Sequence, residues 1–130
     1  ASEEEAVKGD EIICTVTPSK EPYLKAEWIT PGAHINAVGA FTPNTREIES
    51  SLMAKAKLYA DQVEAMKKES GEYLIPKNEG LFGEEHITGS IGGILAGQVP
   101  GRENDTEITL FDALGLAVED VACGRFLCRE

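Results

Sequence analysis

Glu11-Ile12-Ile13-Cys14-Thr15-Val16-Thr17, closed by Pro18, is the stretch that decides the fold class. It is short, mostly apolar and β-branched, and it lacks clean alternation. Such a run suits a strand buried on both faces, the habit of a parallel sheet. His34-Ile35-Asn36-Ala37-Val38-Gly39 is a second such run, after the turn signal Pro31-Gly32. Lys57-Leu58-Tyr59-Ala60-Asp61 is a third, and Thr106 to Leu110 a fourth.

The segments between these runs read as helices. Glu3 to Lys8 is the end of a helix stopped by Gly9, and Pro22 to Trp28 allows one short helical turn. Thr45 to Ala56 has Asn44 or Thr45 as its N-cap and puts Ile48, Leu52 and Ala56 on one face. Gln62 to Ser70 is helical and ends at Gly71. Tyr73 to Gly83, with Pro76, Gly80 and Gly83, is expected to be irregular. Ile87 to Ala96 is expected to be helical despite Gly89, Gly92 and Gly93, and Phe111 to Leu127 forms a closing helix. Strands alternating with helices give an α/β fold, with a mostly parallel sheet of about three to four strands flanked by helices. Residues 1–130 form a single domain on this reading, the size that allows one core.

Composition narrows the function classes. The chain is 42% hydrophobic and 27% charged, as in an ordinary globular protein, with a formal net charge of −11. That acidity argues against nucleic acid or an anionic membrane surface as partner. No window approaches the roughly 18 apolar residues of a spanning helix. The acidic start Ala1-Ser2-Glu3-Glu4-Glu5 lacks an apolar signal core, so a cytoplasmic location is expected. Cys14, Cys123 and Cys128 form no Cys-x-x-Cys pair and are expected to be buried free thiols. His34 reads as structural and His86 as part of a solvated acidic helix start, so no metal is expected.

In open parallel sheets, ligands sit outside the carboxyl ends of the strands. That rule points to Thr15–Ser19, Val38–Pro43 and Asp61–Gln62.

Four segments, read in order, resemble the ornithine cyclodeaminase/mu-crystallin family. They are Ile12-Ile13-Cys14-Thr15-Val16-Thr17-Pro18-Ser19, Pro31-Gly32-Ala33-His34-Ile35-Asn36-Ala37-Val38-Gly39-Ala40, Val99-Pro100-Gly101-Arg102 and Gly115-Leu116-Ala117-Val118-Glu119-Asp120. The resemblance implies part of a Rossmann-like domain that binds NAD or NADP, with chemistry on amino acids or cyclic imines. Hydride transfer, the cofactor's own chemistry, makes or consumes an imine in that family. By resemblance, Thr15, Val16 and Thr17 run along the cofactor. Val38, Gly39 and Ala40 approach the nicotinamide, where a small residue lets the backbone come near. Glu69 resembles a ligand-proximal glutamate.

The family's Gly-x-Gly loop, the main pyrophosphate site, would lie upstream of residue 1, and no comparable run is expected after a strand here. Several positions depart from the family. Phe41 stands where cyclodeaminases carry an aspartate that moves a proton, and Thr45 where a lysine is common. Asp112 and Ala113 replace Lys-Ser, which would put a negative charge near the cofactor. These departures leave no catalytic residue to assign. With that loop and the family's substrate domain outside these residues, the resemblance leads to the expectation of a family fragment that is not catalytic alone; the alternative is one piece of an NAD(P)-dependent ketimine reductase or amino-acid dehydrogenase/cyclodeaminase. An unpaired edge at Ile12–Thr17 predicts a homo-oligomer, through that edge or through exchanged closing helices, or pairing with a missing complementary segment.

Overall fold

The computed structural model describes residues 2–129. In chain order the elements are α1 (Glu3–Val7), β1 (Ile12–Thr15), a 3-10 turn (Ala26–Trp28), β2 (His34–Ala37), α2 (Ser50–Lys55), β3 (Lys57–Ala60), α3 (Val63–Glu69) and α4 (Gly71–Asn78). A second 3-10 turn (Glu84–His86), β4 (Ile87–Ser90), α5 (Ile91–Leu95), β5 (Thr109–Asp112) and α6 (Ala117–Leu127) complete them. The strands form one five-stranded sheet of order β1-β2-β5-β3-β4. Every pairing is parallel, so all carboxyl ends lie on one edge.

One face of the sheet carries the core. Ile13, Ile35, Leu58 and Leu110, one from each of four neighbouring strands, are buried there with Leu52, Met53, Met66 and Tyr73 from α2, α3 and α4. Each such side chain contributes roughly 1.5–3 kcal/mol by leaving water. The other face is more open. His34, Asn36, Tyr59, Ile91, Ile94 and Phe111 line a cavity of about 360 Å³ there. The segment Val99–Arg102 packs over this face. The Tyr59 hydroxyl donates to the Pro100 carbonyl at 2.7 Å, and Arg102 donates to Thr109 Oγ1 at 3.0 Å.

Four stretches differ from the sequence reading. Thr45–Glu49 is not helical, because Tyr23 and Leu24 both donate their N–H to the Glu47 carbonyl and Leu24 bridges Ile48. Extended backbone wins there, and α2 begins at Ser50. Residues 71–78 form α4 rather than an irregular segment. Gly71 opens this helix instead of closing α3; a Cβ on it would overlap the carbonyl of Thr45. Ser70 caps α4, accepting the Tyr73 N–H, and Pro76 is tolerated inside because burial outweighs its lost donor.

Ile87–Ala96 divides into β4 and α5, which raises the strand count from the expected three or four to five. β3 supplies the ladder that turns Ile87–Ser90 extended. Gly92 and Gly93 therefore do follow a strand, with Ser90 accepting the Gly93 N–H, but α5 has only five residues. Finally, Phe111 and Asp112 lie in β5, and the closing helix starts at Ala117.

The cysteines also differ from expectation: Cys14, Cys123 and Cys128 are all exposed. Cys14 sits on the open face of an edge strand, and α6 buries none of its residues. Among the described residues, no helix is long and apolar enough to cross a membrane. None of them forms a His/Cys/Asp/Glu group suited to a metal ion. His34 bonds Thr109 and Asn36 within the sheet face. His86 contacts the Met53 carbonyl and stacks on Phe82.

Candidate functional site

The carboxyl edge brings two predicted segments together. Thr15 is paired with Ala37 at the ends of β1 and β2, so Thr15-Val16-Thr17 and Val38-Gly39-Ala40 leave the sheet side by side. The amides of Val38 and Gly39 both donate to the Thr15 carbonyl, at 2.9 and 3.1 Å. Thr15 and Ala40 are buried, while Val16 and Val38 are 67% and 42% exposed and face outward as an apolar pair. Gly39 admits no side chain, since a Cβ would overlap the Thr17 backbone and Glu47 Oε1.

Glu47 holds these segments, and sequence reading did not find it. Its side chain is fully buried. Oε2 accepts the Thr17 N–H at 2.6 Å, the Thr17 hydroxyl at 2.7 Å and the Tyr23 hydroxyl at 2.6 Å. Oε1 accepts the Gly39 N–H at 3.0 Å. Burial, then the bond to Glu47, pushes the Tyr23 phenol up to about 12. Glu72, on α4, holds Glu47 in turn: its carboxyl oxygens accept the backbone N–H groups of Glu47 and Ile48 at 3.1 Å.

A second carboxylate closes the other half of the edge. Asp61 follows β3, and its Oδ2 accepts the N–H groups of Leu114 and Gly115, at 3.0 and 2.8 Å, just after β5. Its Oδ1 accepts the Gln62 N–H at 2.8 Å. The rule on strand ends had singled out Asp61–Gln62, and the structure shows the role to be a tie between β3 and β5.

Asp112 corrects an expectation. It stands at the carboxyl end of β5, but its side chain is fully buried on the core side and not open to a ligand. The Ser70 hydroxyl donates to its Oδ2 at 2.5 Å, and its Oδ1 has no partner. Burial pushes the Asp112 carboxyl up to about 7, with the Ser70 bond opposing and Asp61 adding. Burial likewise pushes Glu72 up to about 8, opposed by the Glu47 and Ile48 amides and reinforced by Asp112 and Glu47. None of the ion pairs among the described residues reaches these four carboxyls.

The remaining predicted positions are more peripheral. Glu69 is the exposed last residue of α3. Its neighbours reach the edge: Ser70 through Asp112, and Gly71 through its N–H on the Thr42 carbonyl. Phe41 is 61% exposed beside Ala40, and Thr45 bonds the Thr42 backbone and hydroxyl. Nothing in the sequence pattern marks Glu47 or Glu72, because their partners lie 8 to 30 residues away.

Val16 and Val38 offer an apolar contact for a flat ring.

Comparison with known proteins gives a consistent picture. The sequence profile of the ornithine cyclodeaminase/mu-crystallin family matches residues 1–129. Ketimine reductase mu-crystallin of Mus musculus is 42% identical over 127 residues, covering 98% of this chain and 38% of that protein. The structure of Thermococcus litoralis Delta(1)-pyrroline-2-carboxylate reductase in complex with NADH and L-proline superposes with a TM-score of 0.90 at 41% identity. That match covers 95% of this chain and 38% of the other. An archaeal alanine dehydrogenase dimer with bound NAD gives a TM-score of 0.87 at 41% identity, covering 96% of this chain and 38% of the other. The chain thus spans about two fifths of the length of the proteins it matches, each at 38%.

Proposed function

The chain belongs to the ornithine cyclodeaminase/mu-crystallin family, and from that membership we propose that it supplies the nicotinamide-facing part of an NAD(P) site. The enzyme so formed is a reductase or dehydrogenase acting on cyclic imines or small amino acids. One observation carries this reading. Thr15–Thr17 and Val38–Ala40 leave adjacent parallel strands at the edge where such sheets hold ligands, with Val16 and Val38 exposed between them. A bound nicotinamide would donate or accept the hydride. The protein's part is to present a shaped, apolar contact for the ring and to fix the backbone around it. By its resemblance to a ligand-proximal glutamate of the family, Glu69, the last residue of α3, is assigned to the substrate side.

On this proposal the chain does not turn over substrate alone. Phe41 offers no proton where cyclodeaminases carry an aspartate, so cyclodeaminase chemistry is not expected and reduction is the reaction to assay. It binds NADH weakly, in the millimolar range, because this edge grips the ring and not the phosphates. Titration calorimetry with NADH and NADPH, run beside an assay of cyclic-imine reduction, tests both halves. Millimolar binding without turnover is the expected outcome. Measurable turnover overturns the claim of inactivity, and no binding at several millimolar overturns the site.

The chain is also proposed to self-associate in the cytoplasm, or to pair with a complementary segment. The β1 edge shows Ile12 at 68% exposure, and α6 shows Val118, Val121, Phe126 and Leu127 at 67–74%. The related alanine dehydrogenase is a dimer, which supports association. Sedimentation at high micromolar concentration should give a dimer or larger species; a clean monomer contradicts it.

A further inference from the structure

We propose that Glu47 is the positioning residue of the carboxyl edge: its buried carboxylate fixes Thr17 and Gly39 against one another, and so sets the surface that Val16 and Val38 present. The inference rests on reading that edge as the nicotinamide-facing part of a dinucleotide site.

Four donors from three separate segments meet on this one group. The Thr17 N–H and hydroxyl come from the end of β1, the Tyr23 hydroxyl from the following loop, and the Gly39 N–H from the end of β2. Hydrogen bonds to an ionised acceptor are shorter and roughly twice as strong as neutral ones. A carboxylate accepts at both oxygens, and no other side chain of this size does.

Glu47 is itself fixed at its backbone. Its N–H is held by Glu72, and its carbonyl accepts the N–H groups of Tyr23 and Leu24 at 2.9 Å. The side chain therefore meets Thr17 and Gly39 from a rigid base, the requirement for a preorganised site. Gly39 in turn has no space for a Cβ against Thr17 and Glu47, so the tie is close as well as strong.

The chemistry makes Glu47→Gln selective. Glutamine has the same size but only one acceptor oxygen, with two N–H donors in place of the other. The lower-energy orientation keeps the oxygen on the side where Thr17 and Tyr23 supply three donors. The new amide N–H groups then face the Gly39 N–H, and that tie is lost. Gly39 still donates to Thr15, so the strand ends stay paired while the loop loses its anchor.

The test uses the isotopically labelled 130-residue chain. In Glu47→Gln, the Gly39 amide proton should move upfield while that of Thr17 moves little. The amides of Ile35, Leu58 and Leu110 should keep their exchange protection. NADH affinity should fall about tenfold, the scale of one hydrogen bond to a charged group. An unmoved Gly39 amide overturns the proposal. So does unchanged NADH affinity with a shifted Gly39, because a merely structural carboxylate gives that pattern. Should Glu47→Gln not fold, Glu47→Asp keeps the charge and draws both carboxylate oxygens back by one carbon–carbon bond from Thr17 and Gly39. The Gly39 amide must then shift, and its constancy refutes the role. If the wild-type chain shows no NADH response, the dinucleotide reading fails on its own. The ligand-free Gly39 signal still decides whether Glu47 holds the edge.

Discussion

Helices α4 and α6 are built into the molecule in opposite ways. α4 buries Gly71, Glu72, Tyr73 and Pro76 out of its eight residues, whereas α6, with eleven, buries none. α4 is fixed at both levels of structure. Tyr73 fills the core, and Glu72 holds the backbone of the residue that ties β1 to β2. α6 leaves the sheet just after the Asp61 tie and shows Val118, Val121 and Phe126 to the outside. One helix supports the candidate site, and the other is exposed along its length. The difference lies in what each face touches.

Paired truncations break or confirm that contrast most strongly. Tyr73→Ala should cost about 3–5 kcal/mol in unfolding free energy, as for a large aromatic removed from a packed core. Phe126→Ala, at 69% exposure, should stay within about 0.5 kcal/mol of wild type. Denaturant melts of the two variants decide the point; similar losses would mean that α6 is packed after all.

A pH series sharpens it. Glu72 and Asp112 are raised from 4.5 to about 8 and from 3.8 to about 7. In the unfolded chain both carboxyls ionise near their ordinary values, while the folded chain keeps their protons to higher pH. The unfolded state therefore binds fewer protons between about pH 4 and 8, and stability falls as pH rises through that window. A tenfold difference in proton affinity between the folded and unfolded chain is worth about 1.4 kcal/mol, so the loss by pH 9 is on the order of a few kcal/mol. Glu72→Gln keeps an acceptor for the Glu47 and Ile48 amides and cannot ionise. It should remove a large part of the slope and leave the variant more stable than wild type at pH 9. An unchanged slope would place the titration elsewhere. No α6 carboxyl is expected to contribute on this scale, since α6 buries no residue.

A smaller effect concerns association. Val121→Asp, on the exposed stripe of α6, should leave the melting curve within about 0.5 kcal/mol of wild type. It should shift sedimentation toward monomer if α6 makes the contact. An Ile12→Lys change in β1 tests the other route, since a charge on an open edge strand discourages pairing.

The sequence made the parallel strands easy to read because β-branched runs bounded by turns carry that signal locally. β1, β2 and β3 fall inside their expected ranges. β4 was hidden, since Ile87-Thr88-Gly89-Ser90 holds a glycine and owes its extension to pairing with β3. α4 was hidden by Gly71 and Pro76, residues that disfavour helices unless packing compensates. α6 kept an apolar pattern that promised burial, and this chain gives it no surface to cover. The two segments of the candidate site were legible because strand ends and small residues mark them. Glu47 was not, because its donors at Thr17, Tyr23 and Gly39 become neighbours only when two strands pair.

We propose that the carboxyl edge between β1 and β2 receives the nicotinamide end of a dinucleotide. The most direct measurement is a titration of the labelled chain with NADH, followed by amide shifts. Progressive shifts should centre on Thr15–Thr17 and Val38–Ala40, with Tyr59 and Phe111 on the open face unaffected. Shifts confined to that open-face cavity, or none at several millimolar NADH, would contradict it.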